Sequence, residues 1–252
     1  MYKIPSGTLF LGKNLVILPE CPSTNTQAVE LAQAGQAPDG TVVITDHQTS
    51  GRGQRGNTWE SGSGLNLTFS IVVHPVFLQA SQQFHLNKAV ALAVHDTVSR
   101  HTSERVHVKW PNDIMISCKK VCGILIENQV TGNQLGRSVI GIGLNVNQKT
   151  FSSPHASSVS IHSGKPIDLA KLFDETLQSI EWRYIQLKNN RLKELDHDYL
   201  RSLYRVNEVH SFIVDEKETD GILRGVDTNG RLLVEIGDRM RSFDLKEIKY
   251  VH

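Results

Sequence analysis

The sequence predicts an α+β fold, with one mixed β-sheet carrying helices before and between its strands and a small β-barrel at the C-terminal end. Three observations predict it. Short β-branched or alternating apolar runs recur through residues 41–146, apolar residues at helical spacing interrupt them at 84–100, and the tail beyond 206 breaks into short strands at about ten-residue spacing.

Thr41 to Thr45 is a β-branched run, and Leu65, Leu67, Phe69, Ile71 and Val73 alternate with more polar neighbours, so each segment reads as a strand. From Phe84 to Arg100, residues Leu86, Ala89, Val90, Ala93, Val94 and Val98 line one side of a helix. Val106–Val108, Ile114–Ile116, Val121–Ile126 and Ser138–Val146 read as four more strands, the middle two a hairpin turning at Ser117-Cys118-Lys119. Phe151 to Gly164 is rich in Ser and His with little periodicity, which predicts a mobile surface loop. Asp168 can cap a helix whose apolar face runs from Leu169 through Phe173, Leu177, Ile180 and Tyr184 to Leu187, and a second helical segment continues to about Arg205. Val209–Val214, Gly221–Val226, Leu232–Ile236 and Met240–Leu245 then read as four short strands of the barrel. The division falls near Val206, giving domains 1–205 and 206–252.

Composition narrows the function classes. The chain has 252 residues, 27 basic against 26 acidic, and 39% hydrophobic residues, which describes a conventional globular protein without bulk attraction to nucleic acid or membrane. No apolar run approaches the ~20 residues of a membrane helix, and Met1 to Pro5 lacks the order of a secretion signal. Cys21, Cys118 and Cys122 are too few for a disulfide framework; Cys122 lies in an apolar strand as a buried thiol, and the expected location is the cytoplasm. His85, His95, His101 and His107 are scattered without metal-site spacing.

Lys109-Trp110-Pro111-Asn112-Asp113, followed by the run Lys120 to Glu127, places two lysines on paired strands. It reads either as an Asn-Asp turn or as a fixed ammonium facing developing negative charge. Gln48 leads into Gly51-Arg52-Gly53-Gln54-Arg55-Gly56 and Trp59, where glycines expose backbone N–H groups and arginines offer planar forks. The segment is either an anion cradle or a solvated loop, and it matches neither the Walker pattern nor the dinucleotide fingerprint. Ser23-Thr24-Asn25 stands at a helix start, with Ser23 or Thr24 as cap, where it also offers polar groups to an amide or urea. Gly141 to Asn147 is a strand with two glycines, marking close approach of a ligand or tight packing.

In this order the five motifs resemble the biotin protein ligases over roughly residues 20–147. The resemblance implies a catalytic domain like the class II synthetases with an SH3-like C-terminal barrel. It implies ATP, Mg²⁺ and biotin as ligands, biotinyl-5′-AMP as intermediate, and transfer to a lysine of a biotin carboxyl carrier protein. Carried over residue by residue, it assigns Ser23, Thr24, Asn25, Gln48, Arg52, Gly53, Gln54, Lys120 and Gly123 to biotin. Arg55, Trp59, Lys109, Asn112, Asp113 and Asn145 go to the nucleotide, with Asp113 also toward Mg²⁺; Lys120, Arg52 and Lys109 are the catalytic expectations. Some members carry Arg at the position of Gln54, so intermediate retention is expected to differ. Only 22 residues precede Ser23, fewer than the about 50 of a DNA-binding domain, so a ligase without repressor activity or DNA partner is expected, with a homodimer possible through a sheet edge. The rival enzyme reading is a lipoate or octanoyl ligase or transferase acting on a similar carrier lysine. The rival of another class is a nucleic-acid-binding module, against which the net charge of +1 speaks.

Overall fold

The computed structural model describes residues 2–251, and of Arg55 the backbone alone. Strand β1 (Leu15–Cys21) crosses through α1 (Thr24–Gln33) to β2 (Thr41–Gln48), and the two strands pair in parallel. Strand β3 (Leu67–Val73) turns back beside β2, and α2 (Phe84–Ser99) leads to β4 (Val106–Lys109), β5 (Asp113–Ile116), β6 (Lys119–Thr131) and β7 (Gln134–Leu144). The sheet order is β1-β2-β3-β7-β6-β5-β4, antiparallel at every junction after the first. This is the mixed α+β sheet expected from the sequence.

The sheet is covered fully on one face and in part on the other. On one, α2 and α4 (Leu169–Lys188) pack over Phe69, Ile71, Ile140 and Ile142; α2 alone buries Leu86, Leu92, Val94 and Val98 almost completely, each contributing about 1.5–3 kcal/mol. On the other, α1 covers only part, with Ala28 against Val43, Val72 and Val139. The rest of that face is open to a ligand. The alternation read in residues 65–73 follows from this: β3 is buried throughout, and its polar positions Thr68 and Ser70 look toward the side of α1.

Asp168 caps α4 as expected, accepting from the backbone N–H groups of Ala170 and Lys171 at 2.9 and 3.1 Å. Ser23 occupies the N-cap position of α1, yet its side chain makes no capping bond. The work falls to Gln48 on β2, whose Oε1 accepts from Thr24 N at 2.8 Å. The stretch 151–164 is also not the mobile loop expected. Lys120 N donates to His155 O at 2.8 Å, Ser157 N returns to Lys120 O at 2.9 Å, and the segment closes in a short helix, α3 (Val159–Ser163). Its backbone groups find partners on β6, which periodicity cannot reveal.

After α5 (Leu192–Ser202) come β8 (Val209–Val214), β9 (Lys217–Val226), β10 (Leu232–Ile236), β11 (Arg239–Phe243) and β12 (Ile248–Tyr250), in the order β11-β10-β9-β8-β12. Five antiparallel strands stand where four were expected, because three-residue β12 is too short to show a pattern. Phe212, Leu223, Val234 and Phe243 continue the same apolar cluster as α2, and Trp110 Nε1 donates to Gly230 O at 2.9 Å across the junction. Among the described residues no helix is long and apolar enough to cross a membrane.

Candidate functional site

The site grows from the strand register. Across β6, β7 and β3, Leu125, Gly141 and Ser70 lie side by side, and Gly123, Gly143 and Thr68 form the next row. Two glycines at the centre of a sheet leave a flat strip that side chains from elsewhere can cross. Asn25 lies on Gly141, where an added Cβ would overlap its Oδ1 and stand 2.9 Å from its Cγ. Trp59 lies on Gly143, where a Cβ would be 2.5 Å from Nε1. The glycine-bearing strand therefore serves close approach of side chains.

Asn25 is 3% exposed and held at both ends of its amide: Ser70 Oγ donates to its Oδ1 at 2.6 Å, while its Nδ2 donates to Glu127 Oε2 at 2.8 Å. The same carboxylate oxygen accepts from Arg52 Nη2 at 2.9 Å. Glu127 thus joins three elements: β6, the start of α1 and the glycine-arginine loop. Sequence reasoning passed over it, although the period-2 series Gly123, Leu125, Glu127 on one strand face was available as a signal.

The loop itself is a small hairpin. Arg52 pairs with Thr58, Gly53 N donates to Asn57 O at 2.7 Å and Trp59 N to Gly51 O at 2.9 Å, so these two N–H groups serve the loop and not an anion. Arg52 and Trp59 are presented by its two limbs. The Trp59 indole Nε1 is buried without a hydrogen-bond partner among the described residues, and the ring meets the Lys120 ammonium at 5.5 Å. Gln54 stands in the turn; the side chain of Arg55 lies outside the described residues.

Lys120 Nζ pairs with Asp113 Oδ1 at 2.7 Å, both partly exposed. Asn112 is held by a short bond from its Nδ2 to Ile124 O. Lys109 sits opposite Asp113 on β4. Burial holds its ammonium below the usual lysine range; Asp113 pulls the other way, and Lys120 and Arg205 add to the lowering. Asn145 is 3% exposed: its Nδ2 donates to Ser157 O at 3.0 Å, and its Oδ1 has no partner among the described residues. Burial also drives the Cys122 thiol far above its ordinary range, so it stays protonated and inert.

One cavity gathers Ser23, Thr24, Asn25, Gln48, Arg52, Gly53, Gln54, Trp59, Asn112, Lys120 and Gly123, together with Ile124, Leu125 and Ile142, which the sequence had not singled out for a site. Lys109, Asp113 and Asn145 stand outside its lining. Neutral hydroxyl and amide groups gather around Asn25 at the Gly141 row with Arg52 beside them, and the Trp59 ring and the Lys120 ammonium stand over the Gly143 and Gly123 row. Such a space suits a molecule with an uncharged hydrogen-bonding head, an apolar body and an anionic tail. Among the described residues no cluster of three His, Cys, Asp or Glu could hold a metal, and one Asp113 oxygen is already committed to Lys120.

Residues 18–145 match the family described as Biotin/lipoate A/B protein ligase. The chain is 37% identical over 183 residues to the Bifunctional ligase/repressor BirA of Bacillus spizizenii, covering 70% of this chain and 55% of that protein. It thus spans about half the length of that relative. It is 31% identical over 232 residues to the Biotin--[acetyl-CoA-carboxylase] ligase of Mycobacterium tuberculosis, covering 90% of this chain and 85% of the relative. Among solved structures, the biotin protein ligase from Aquifex aeolicus in complex with biotin and ATP superposes with a TM-score of 0.80 at 25% identity, over 95% of this chain and 100% of the other.

Proposed function

The chain belongs to the biotin/lipoate A/B protein ligase family, and from that premise we propose that it activates biotin with ATP and transfers it to a lysine of a biotin carboxyl carrier protein in the cytoplasm. In the first step a biotin carboxylate oxygen attacks the α-phosphorus of ATP; the bond to the β-phosphate oxygen breaks, leaving pyrophosphate and biotinyl-5′-AMP. In the second, the neutral amine of the carrier lysine attacks the acyl carbon and AMP departs.

The observation that carries this reading is the separation of chemistries within one cavity. Ser23, Thr24, Asn25 and Gln48 supply neutral donors and acceptors for a urea ring, and Leu125 and the Trp59 ring border the apolar body. Lys120, steadied by Asp113 at 2.7 Å, supplies the charge where carboxylate meets α-phosphate. Arg52 and Gln54 close over the acyl phosphate, with Gly53 and Gly123 allowing close approach. Trp59, Asn112 and Asn145 take the nucleoside side, and Lys109 the phosphates. Asp113 would help hold Mg²⁺ brought with ATP, where the ion would offset phosphate charge.

Biotin-dependent ATP–pyrophosphate exchange tests the proposal. The expected result is exchange by the native chain and a loss of about 100-fold or more with Lys120→Ala, the scale of removing one electrostatic stabiliser. An inactive native chain, or full activity in the variant, overturns it. Incorporation of labelled biotin, and not labelled lipoate, into a carrier domain is the matching result for the second step.

A further inference from the structure

Lys109 lacks the partner that a sequestered cation ordinarily has. Among the described residues its ammonium makes no hydrogen bond and no ion pair within 4.0 Å, and what it meets is the face of the Tyr250 ring, 4.8 Å away. That ring comes from the C-terminal unit, 141 residues further along the chain by the numbering (250 − 109). It is firmly seated: β12 pairs with β8 so that Tyr250 stands opposite Phe212, with ring centroids 5.2 Å apart, and Val251 N donates to Ser211 O at 3.0 Å. The strand bearing Lys109 is tied to the same junction, since Tyr204 N donates to Val108 O at 2.9 Å. Both sides of the contact are therefore set by backbone pairing.

We propose that Tyr250 is a positioning residue, whose ring face holds the Lys109 ammonium in place for the phosphates of ATP. The hydroxyl has no part in this: it is buried and has no hydrogen-bond partner among the described residues. A π-face attracts the cation while taking none of its N–H donors, so all three remain for phosphate oxygens. A carboxylate in the same place would occupy one of those donors in an ion pair, as Asp113 does with Lys120. The contact makes the C-terminal unit part of the nucleotide side of the site. This inference rests on the reading of Lys109 as a phosphate-binding residue, and the experiment separates the two.

ATP–pyrophosphate exchange is measured against ATP concentration at saturating biotin, and biotin affinity without ATP by calorimetry, for Tyr250→Phe, Tyr250→Leu, Lys109→Ala and the double variant Lys109→Ala/Tyr250→Leu. Tyr250→Leu is expected to raise the KM for ATP about fivefold, the scale of one cation–π contact, with the biotin Kd unchanged. Tyr250→Phe, which keeps the ring, stays within about twofold of the native chain. In the Lys109→Ala background the Leu substitution adds nothing. Phe as damaging as Leu, an unaltered KM in Tyr250→Leu, a weakened biotin Kd, or an undiminished effect in the Lys109→Ala background each overturns the positioning role. If Lys109→Ala leaves the ATP dependence intact, the phosphate reading of Lys109 falls as well; if it damages that dependence while Tyr250→Leu does not, the positioning role alone falls.

Discussion

Gly141→Ala is the sharpest small perturbation the geometry offers. A methyl group on Gly141 overlaps Asn25 Oδ1 and lies 2.9 Å from Cγ and 3.1 Å from Nδ2. Gly141 lies in a central strand between β3 and β6, so the amide must move. Moving it stretches the 2.6 Å bond from Ser70 and the 2.8 Å bond to Glu127. One neutral bond at about 1 kcal/mol and one charge-assisted bond at about 1.5–3 kcal/mol put the cost at roughly 2–4 kcal/mol. For a domain of this size that is about 5–10 °C in Tm. Because Asn25 lines the cavity at the end proposed to take biotin, the KM for biotin in the exchange assay should rise about tenfold or more, the equivalent of 1.4 kcal/mol. In an Asn25→Ala background nothing remains to collide with, and Gly141→Ala should then cost less than about 0.5 kcal/mol. A single variant with native Tm and native KM for biotin, or equal costs in both backgrounds, would refute the account of that glycine as the bed of Asn25.

Two further outcomes follow from the same site. Glu127→Gln removes the charge that holds Arg52 at 2.9 Å while sparing an acceptor for Asn25, so biotinyl-adenylate should dissociate about three- to tenfold faster, with a double variant carrying Arg52→Ala no worse than Arg52→Ala alone; stopped-flow release of the adenylate measures it, and unchanged release counts against the link. Lys109, lowered chiefly by burial against the pull of Asp113, loses its proton at a pH where an ordinary lysine, near 10.4, is still charged. The KM for ATP in the exchange assay should therefore begin to rise with pH earlier than the titration of an ordinary lysine would make it, and Lys109→Arg, whose guanidinium stays charged, should abolish that rise. Stability moves the other way, since in that window the unfolded chain binds the extra proton and folding gains as pH increases. A flat KM profile in the native chain would be the contrary result.

Local pattern was enough for the strands and helices because each has a period or a cap that its own residues carry: α2 in its Leu86 to Val98 stripe, α4 in Asp168 and the apolar face beyond it. It failed where an element is defined by its partner. Ser23 looked like a cap, but the helix start is satisfied by Gln48 from another strand; residues 151–164 looked unstructured, but they pair with Lys120; β12 has three residues and no pattern of its own.

The candidate site divides in the same way. Its proposed residue types could be named from sequence because phosphate, carboxylate and urea each call for a small set of donors, and Lys120, Arg52, Asn25 and Gln48, named on that ground, line one cavity. What tertiary structure alone decided is which of them share a cavity and what holds each one still. The row of Gly141 and Gly143 makes room for Asn25 and Trp59, Glu127 ties Arg52 to the start of α1, and Tyr250 meets Lys109 from the far end of the chain. These contacts span about 75 to 140 residues of sequence and leave no local signature. They arise from strand register and sheet order, which are settled by burial and backbone pairing over the whole chain.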